Sequence, residues 1–154
     1  MQSEMYKKIV IATDGSENAK NAASSATEIA RISGAKLYAL NVLPDIPHLS
    51  YFGVPIEPPK GGSFVEKDFE TNLETDGKKA LDVVVKMGKE AGVEVEAVMI
   101  KGHPGSAIID FVEKNDIDLI VMGTLGRSGI DRVLVGSVAV DVARHAKTRV
   151  MIVK

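Results

Sequence analysis

Gly123-Thr124-Leu125-Gly126, nine intervening residues, then Gly136-Ser137, set straight after the apolar run Leu119-Ile120-Val121-Met122, is the pattern in this chain best suited to chemistry. Glycines at a strand end let the backbone turn tightly and bring its N–H groups close to an anion. Gly136-Ser137 opens a stretch, Val138 to Ala146, that reads as a helix, and the first-turn amides and dipole of that helix would face the same anion. Strand, glycine loop and helix N-terminus together make a phosphate cradle. A Walker-type loop is excluded because GxxxxGK[ST] occurs nowhere, and the first strand runs into Thr13-Asp14-Gly15-Ser16 rather than GxGxxG.

Other residues must be weighed beside it. Asp14 taken alone is a turn residue before a helix; next to the glycine loop it reads as a carboxylate accepting from ribose hydroxyls. The glycines themselves could serve only backbone conformations with positive φ. Ser137 is either a helix cap or a hydroxyl within reach of a phosphate oxygen, and Arg127 and Arg132 flank the loop as candidate phosphate partners or solvated side chains. His48, His103 and His145 lack the spacing of metal ligands on one helix face and read as surface or capping residues. HExxH, GxSxG and EF-hand patterns are missing. Asp116 and Asp118, at the N-terminal end of the fourth strand, are expected to be solvated, and Met5, Met87, Met99, Met122 and Met151 to be scattered core fillers.

The elements that must position the cradle follow from the apolar pattern. Strands are expected at Lys8 to Thr13, Ala35 to Leu43, Val93 to Ile100, Ile117 to Met122 and Arg149 to Val153. Alternation in the third of these, VEVEAVMI, predicts a less-buried face at a sheet edge. Ser16 is an N-cap for a helix carrying Ala19, Ala22, Ala23, Ala26 and Ala30 at helical spacing, stopped by Gly34. A long helix from Phe64 to Ala91 has the stripe Phe69, Leu73, Ala80, Val84, Met87 and Ala91, a weak point at Gly77 and a stop at Gly92. Its charged surface reads as a solvated face. Pro104 sits near the first turn of a short helix that turns Ile108, Phe111 and Val112 inward. Residues 44–63, rich in Pro and Gly, form a long irregular loop of the kind that is either mobile or functional. The order β-α-β-α-β-α-β-α-β predicts a mostly parallel α/β sheet with right-handed crossovers. A strand-order reversal between the first and fourth strands would bring Asp14 and Gly123 into one crevice.

Bulk properties narrow the classes. The 154 residues fit one domain, residues 1–154, with ordinary hydrophobic (45%) and charged (26%) content for a water-soluble protein. A net charge of −2, without a Lys/Arg cluster, gives no electrostatic reason for nucleic-acid binding. Zero cysteines exclude disulfides, thiolate metal sites and thiol catalysis, and fit a reducing compartment. The start, Met1-Gln-Ser-Glu-Met-Tyr-Lys-Lys, has no signal-peptide apolar region, and no run approaches a membrane span, so a cytoplasmic protein is expected.

Two stretches, Lys8-Ile9-Val10-Ile11-Ala12-Thr13-Asp14-Gly15-Ser16 and Val121-Met122-Gly123-Thr124-Leu125-Gly126-Arg127-Ser128-Gly129-Ile130 continuing to Val135-Gly136-Ser137-Val138-Ala139, resemble the universal stress protein family. The likeness runs from about Lys7 to Val153, and G-x2-G-x9-G-[ST] is the mark of the family's ATP-binding branch. The resemblance implies an adenine-nucleotide α-hydrolase-like, Rossmann-like fold, a five-stranded parallel sheet of order 3-2-1-4-5 with helices on both faces. It implies that Asp14 holds the ribose, and that Ala12, Thr13 and Val42 line the adenine and ribose side. Met122 and Gly123 would lie near the sugar and first phosphate, and Gly126, Gly136, Ser137 and Val138 would donate to the phosphate chain. ATP is the implied ligand, with AMP or another adenylate as the alternative, and Mg²⁺ or Mn²⁺ would arrive with the phosphates. A homodimer through the last strand is implied, and a protein partner of unknown identity. Leu125 stands where a polar residue, often His, is frequent, and Thr148-Arg149 replaces a common Cys-Pro. The expected function is a nucleotide-responsive module of stress adaptation; the alternatives are a slow ATPase, for which no water-positioning group can be named, and a nucleotide-independent interaction protein.

Overall fold

Lys8–Ala12 (β1) and Leu119–Gly123 (β4) are apolar almost throughout because they are central strands, covered on both faces. The computed structural model describes residues 5–44, 64–124 and 136–154, with backbone only over 64–70. Element order is β1, α1 (Glu17–Ser33), β2 (Lys36–Leu43), α2 (Phe64–Ala91), β3 (Val95–Lys101), α3 (Pro104–Lys114), β4, α4 (Ser137–His145) and β5 (Arg149–Val153). All neighbouring strands pair in parallel, in the order β3-β2-β1-β4-β5. β3 is therefore an edge strand, as its alternation predicts. The irregular stretch at 45–63 lies outside the described residues, as does His48.

Side chains alternate between two apolar layers. Ile9, Ile11, Leu37, Ala39 and Val121 face α1 and α2, whereas Val10, Leu40, Ile120 and Met122 face α3 and α4. The α1 ends are set by local chemistry: the Ser16 hydroxyl accepts from the Ala19 amide at 3.2 Å, and Gly34 closes the helix with φ 71°. Its inner face is Ala19, Ala22, Ala23, Ala26 and Ala30, so the helix axis approaches the sheet closely. Thr27 is buried with them and donates its hydroxyl to the Ala23 carbonyl at 2.7 Å.

The long-helix stripe is partly realised. Ala80 and Val84 are buried, Leu73, Met87 and Ala91 are half-buried, and Leu81 joins the core unexpectedly. Gly77 is not a weak point but a packing requirement. It is buried, and a Cβ there would overlap Asn41 Oδ1 and lie 2.9 Å from Met99 Cε. In α3, Pro104 occupies the first turn, Ile108 and Val112 are buried, and Phe111 meets Tyr38 edge-on with ring centroids 5.7 Å apart.

Two further sequence expectations fail. Met5 is 65% and Met151 37% exposed, so neither fills the core; Met5 precedes β1, and Met151 lies on the edge strand β5. Asp118 is half-buried, and its Oδ2 accepts from the Lys7 and Lys8 amides at 2.7 and 2.8 Å, pinning the start of β1 to the start of β4. Asp116, by contrast, is exposed as expected. Asp118→Ala leaves both amides without that acceptor and is expected to lower unfolding free energy by about 1–2 kcal/mol, read as a lower urea midpoint at unchanged slope.

Candidate functional site

The strand order reverses between β1 and β4, with α1 leaving on one face and α4 on the other, so a crevice opens beyond their C-terminal ends. Ala12 stands opposite Met122 on one side and Leu40 on the other. Val42, two residues past Leu40, shares that face, and Ala12, Val42 and Val138 all pack on the apolar cluster containing Met122. Ala12, Val42 and Met122, assigned by resemblance to the base, the sugar and the first phosphate, are thus gathered on the α3–α4 side of the sheet with Val138, assigned to the phosphate chain.

Thr13 and Asp14 follow β1 directly. Thr13 donates its amide to the Leu40 carbonyl at 2.9 Å, as though the strand ran one residue further. The Thr13 hydroxyl accepts from the Gly15 amide at 3.2 Å, and Asp14 Oδ1 accepts from the Ser16 amide at 2.9 Å. Asp14 therefore does perform the turn chemistry read from the sequence, but a carboxylate has about four acceptor positions, so this bond does not exhaust it. Gly15, at φ 82°, is the glycine in this rim whose conformation requires glycine.

Gly123 and Gly136 serve other ends than positive φ. Gly123 is a strand residue whose added Cβ would lie 2.8 Å from the backbone carbon of Asn18 and 2.9 Å from its oxygen. It permits contact between the end of β4 and the first turn of α1. Gly136 is the N-cap of α4 with φ −60°, an ordinary value, and donates its amide to the Thr124 carbonyl. Thr124 in turn donates to the Val153 carbonyl at 3.1 Å, so both ends of the 124–136 segment are tied together and to β5. Gly126, Arg127, Arg132 and Leu125 lie outside the described residues. Ser137 is the first helical residue, exposed, and not the cap. Among the described residues no side chain caps the N-terminus of α4, the end at which the helix dipole is positive.

An open cleft of about 220 Å³ lies between α1 and α2, with Asp14 and Gly15 at its base and Lys20, Asp76 and Lys79 on its walls. Of the residues assigned to the β1–β4 crevice, Asp14 lines this cleft, whereas Ala12, Val42, Met122, Gly123 and Gly136 do not. Among the described residues no group of three or more His, Asp or Glu side chains could hold a metal ion. His103 and His145 match their expectation: the first is the α3 N-cap residue, and the second lies in the last turn of α4 with Nδ1 2.9 Å from the Asp141 carbonyl oxygen. Asn41 was not singled out by sequence reasoning, although a lone amide in the apolar run KLYALNVL is an available clue; it donates to the Thr13 carbonyl at 2.9 Å.

A five-stranded, doubly wound parallel sheet with a glycine loop and an uncapped helix at its switch point defines a Rossmann-like α/β protein. The universal stress protein family model matches residues 5–154. Universal stress protein MJ0531 of Methanocaldococcus jannaschii is 41% identical over 150 residues, 97% of this chain and 83% of that protein. A universal stress protein solved in complex with cAMP superposes with TM-score 0.70 at 29% identity, covering 97% of this chain and 98% of the other. The universal stress protein from Archaeoglobus fulgidus in complex with dAMP does so with TM-score 0.65 at 27% identity, covering 97% and 99%. The chain belongs to the universal stress protein family.

Gly123→Ala sets a methyl against backbone rather than against a yielding side chain. It is expected to cost about 1–3 kcal/mol, seen as a lower thermal midpoint; an unchanged midpoint would show that α1 and β4 do not approach as described.

Proposed function

We propose that this chain is an ATP-binding universal stress protein, a nucleotide-responsive regulatory module acting in stress adaptation. The observation that carries the reading is the N-terminus of α4, uncapped among the described residues and held beside the end of β4 by the Gly136–Thr124 bond. Phosphates are met there by the backbone amides of Ser137 and Val138, joined by Gly126 from the loop, while the Gly136 amide, given to the Thr124 carbonyl, holds the helix start in place. Gly123 and Met122 lie beneath the sugar and first phosphate, Asp14 accepts from the ribose, and Ala12, Thr13 and Val42 line the base side. A divalent ion, Mg²⁺ or Mn²⁺, enters on the phosphate oxygens, the hard donors it prefers.

The family likeness supports adenylate binding, since relatives at 29% and 27% identity were solved with cAMP and dAMP. Those ligands also favour a second reading, in which the resident nucleotide is a monophosphate. The protein works as a homodimer in the cytoplasm, pairing through β5, an edge strand with Arg149 and Met151 exposed. Among the described residues no helix is long and apolar enough to cross a membrane. Occupancy of the crevice changes the surface presented to a protein partner.

The first test is to purify the chain without added nucleotide, denature it and identify the released molecule by mass, followed by calorimetric titration with ATP, AMP and cAMP in Mg²⁺. ATP near one per chain, or ATP as the tightest ligand, is expected; tighter AMP or cAMP selects the second reading, and no binding overturns both. Asp14→Ala is expected to weaken ATP about tenfold, roughly the net worth of one hydrogen bond to a charged group. Gly126→Val and Gly136→Val should each block the phosphate cradle. Unchanged affinity in these variants sinks the site assignment.

A further inference from the structure

Among the described residues one buried side-chain polar atom, Asn41 Oδ1, has no hydrogen-bond partner. Asn41 is 7% exposed, in the otherwise apolar strand β2, on the side facing α1 and α2. Its Nδ2 donates to the Thr13 carbonyl at 2.9 Å. That orientation is fixed by chemistry, because a carbonyl only accepts and the reversed amide would set oxygen against oxygen. The consequence is that Oδ1 points the other way, into α2, with no hydrogen-bond partner among the described residues. It rests on Gly77, where a Cβ would overlap it. A buried acceptor without a donor is costly and uncommon. An aliphatic residue at position 41 would avoid the cost, but would release the Thr13 carbonyl.

Thr13 is the last residue before Asp14, and β2 grips both of its backbone polar groups. Its amide bonds to Leu40 O and its carbonyl to Asn41 Nδ2, each at 2.9 Å. One turn further along α2, Ala80 supports Gly15 from beneath, 3.3 Å from where a Gly15 Cβ would stand. Gly77 and Ala80, three apart on one helix face, therefore seat the residues on either side of Asp14. None of these contacts involves β4 or α4, where the phosphate donors lie.

We infer that Asn41, seated on Gly77, is a positioning residue that sets the selectivity of the site for the ribose diol, acting through the Thr13 carbonyl on the placement of Asp14. This inference rests on the nucleotide reading given above. It assigns sugar selectivity to the β1–β2–α2 side and leaves phosphate affinity to the β4–α4 side. Loosening Asn41 should then remove the preference for a sugar bearing hydroxyls while sparing binding of the same nucleotide without them.

The experiment is calorimetric titration of the full chain with ATP and with 2′,3′-dideoxy-ATP, for the wild type, Asn41→Ala, Gly77→Ala and the double variant. The wild type is expected to prefer ATP. Asn41→Ala should lose about tenfold in ATP affinity, one net hydrogen bond, and less than about twofold for the dideoxy analogue. Gly77→Ala, whose methyl displaces the Asn41 amide, should move the ratio in the same direction. Gly77→Ala added to Asn41→Ala should move it no further, because its effect passes through a side chain already removed. Cooperative thermal unfolding checks each fold, and Gly77→Ala read alone decides the matter should Asn41→Ala fail to fold. An unchanged ratio in the folded variants, additive losses in the double variant, or a wild type without diol preference overturns the inference. A wild type that binds neither nucleotide overturns the nucleotide reading and this inference with it.

Discussion

The close seating of α1 on the central strands is the constraint from which the site geometry follows. Five alanines form the inner face of that helix, and with side chains this small the backbone comes near enough for Gly123 to touch Asn18. The contact joins the end of β4 to the first turn of α1, and so sets the Thr13–Ser16 turn beside the entrance to the glycine loop. A larger residue on either surface would lift the helix and part the two rims. The glycine of the loop and the alanines of the helix are one packing solution, although about a hundred residues separate them in sequence.

Electrostatics then separates one helix end from the others. At α1 the Ser16 hydroxyl caps the helix, Asp14 accepts from the Ser16 amide, and Glu17 adds a negative charge in the first turn. At α3 the N-cap His103 makes no side-chain cap bond, but the Asp141 carboxylate lies against Gly105 closely enough that a Cβ there would overlap it. Each of these two positive ends is met by a protein carboxylate. At α4 the cap is a glycine, the first turn has no acidic residue, and among the described residues no side chain caps the amides. No carboxylate of its own first turn meets the α4 end, and that end lies beside the strand-order reversal.

Much of this was legible in the sequence where the determinants are local. Ser16 and Gly34 end α1, Gly92 stops α2 with φ 71°, and the α2 and β5 ranges are found as expected, because caps, left-handed glycines and apolar runs act within a few residues. What escaped depends on partners distant in sequence. Asp118 looks solvated until Lys7 and Lys8 are brought to it across 110 residues or more. Gly77 looks like a helix weakness until Asn41 is placed against it, and Gly123 looks like a turn glycine until α1 is packed on it. The family resemblance supplied the strand order and gathered Ala12, Val42, Met122 and Val138, since a motif carries long-range geometry that periodicity does not.

The division of labour across the sheet has a consequence for how such a site can vary. In the nucleotide reading, donors on the β4–α4 side are backbone amides, present whatever the side chains are, provided that Gly136 stays free of a capping group and the segment ends stay tied. That side fixes the preference for phosphate and offers side chains little to adjust. On the β1–β2 side the contacts come from side chains, Asp14 directly and Asn41 through the Thr13 carbonyl, each sensitive to a single substitution. In that same reading, discrimination by the sugar resides in residues of the first two strands and in the helix that supports them, while the number of phosphates is read on the β4–α4 side.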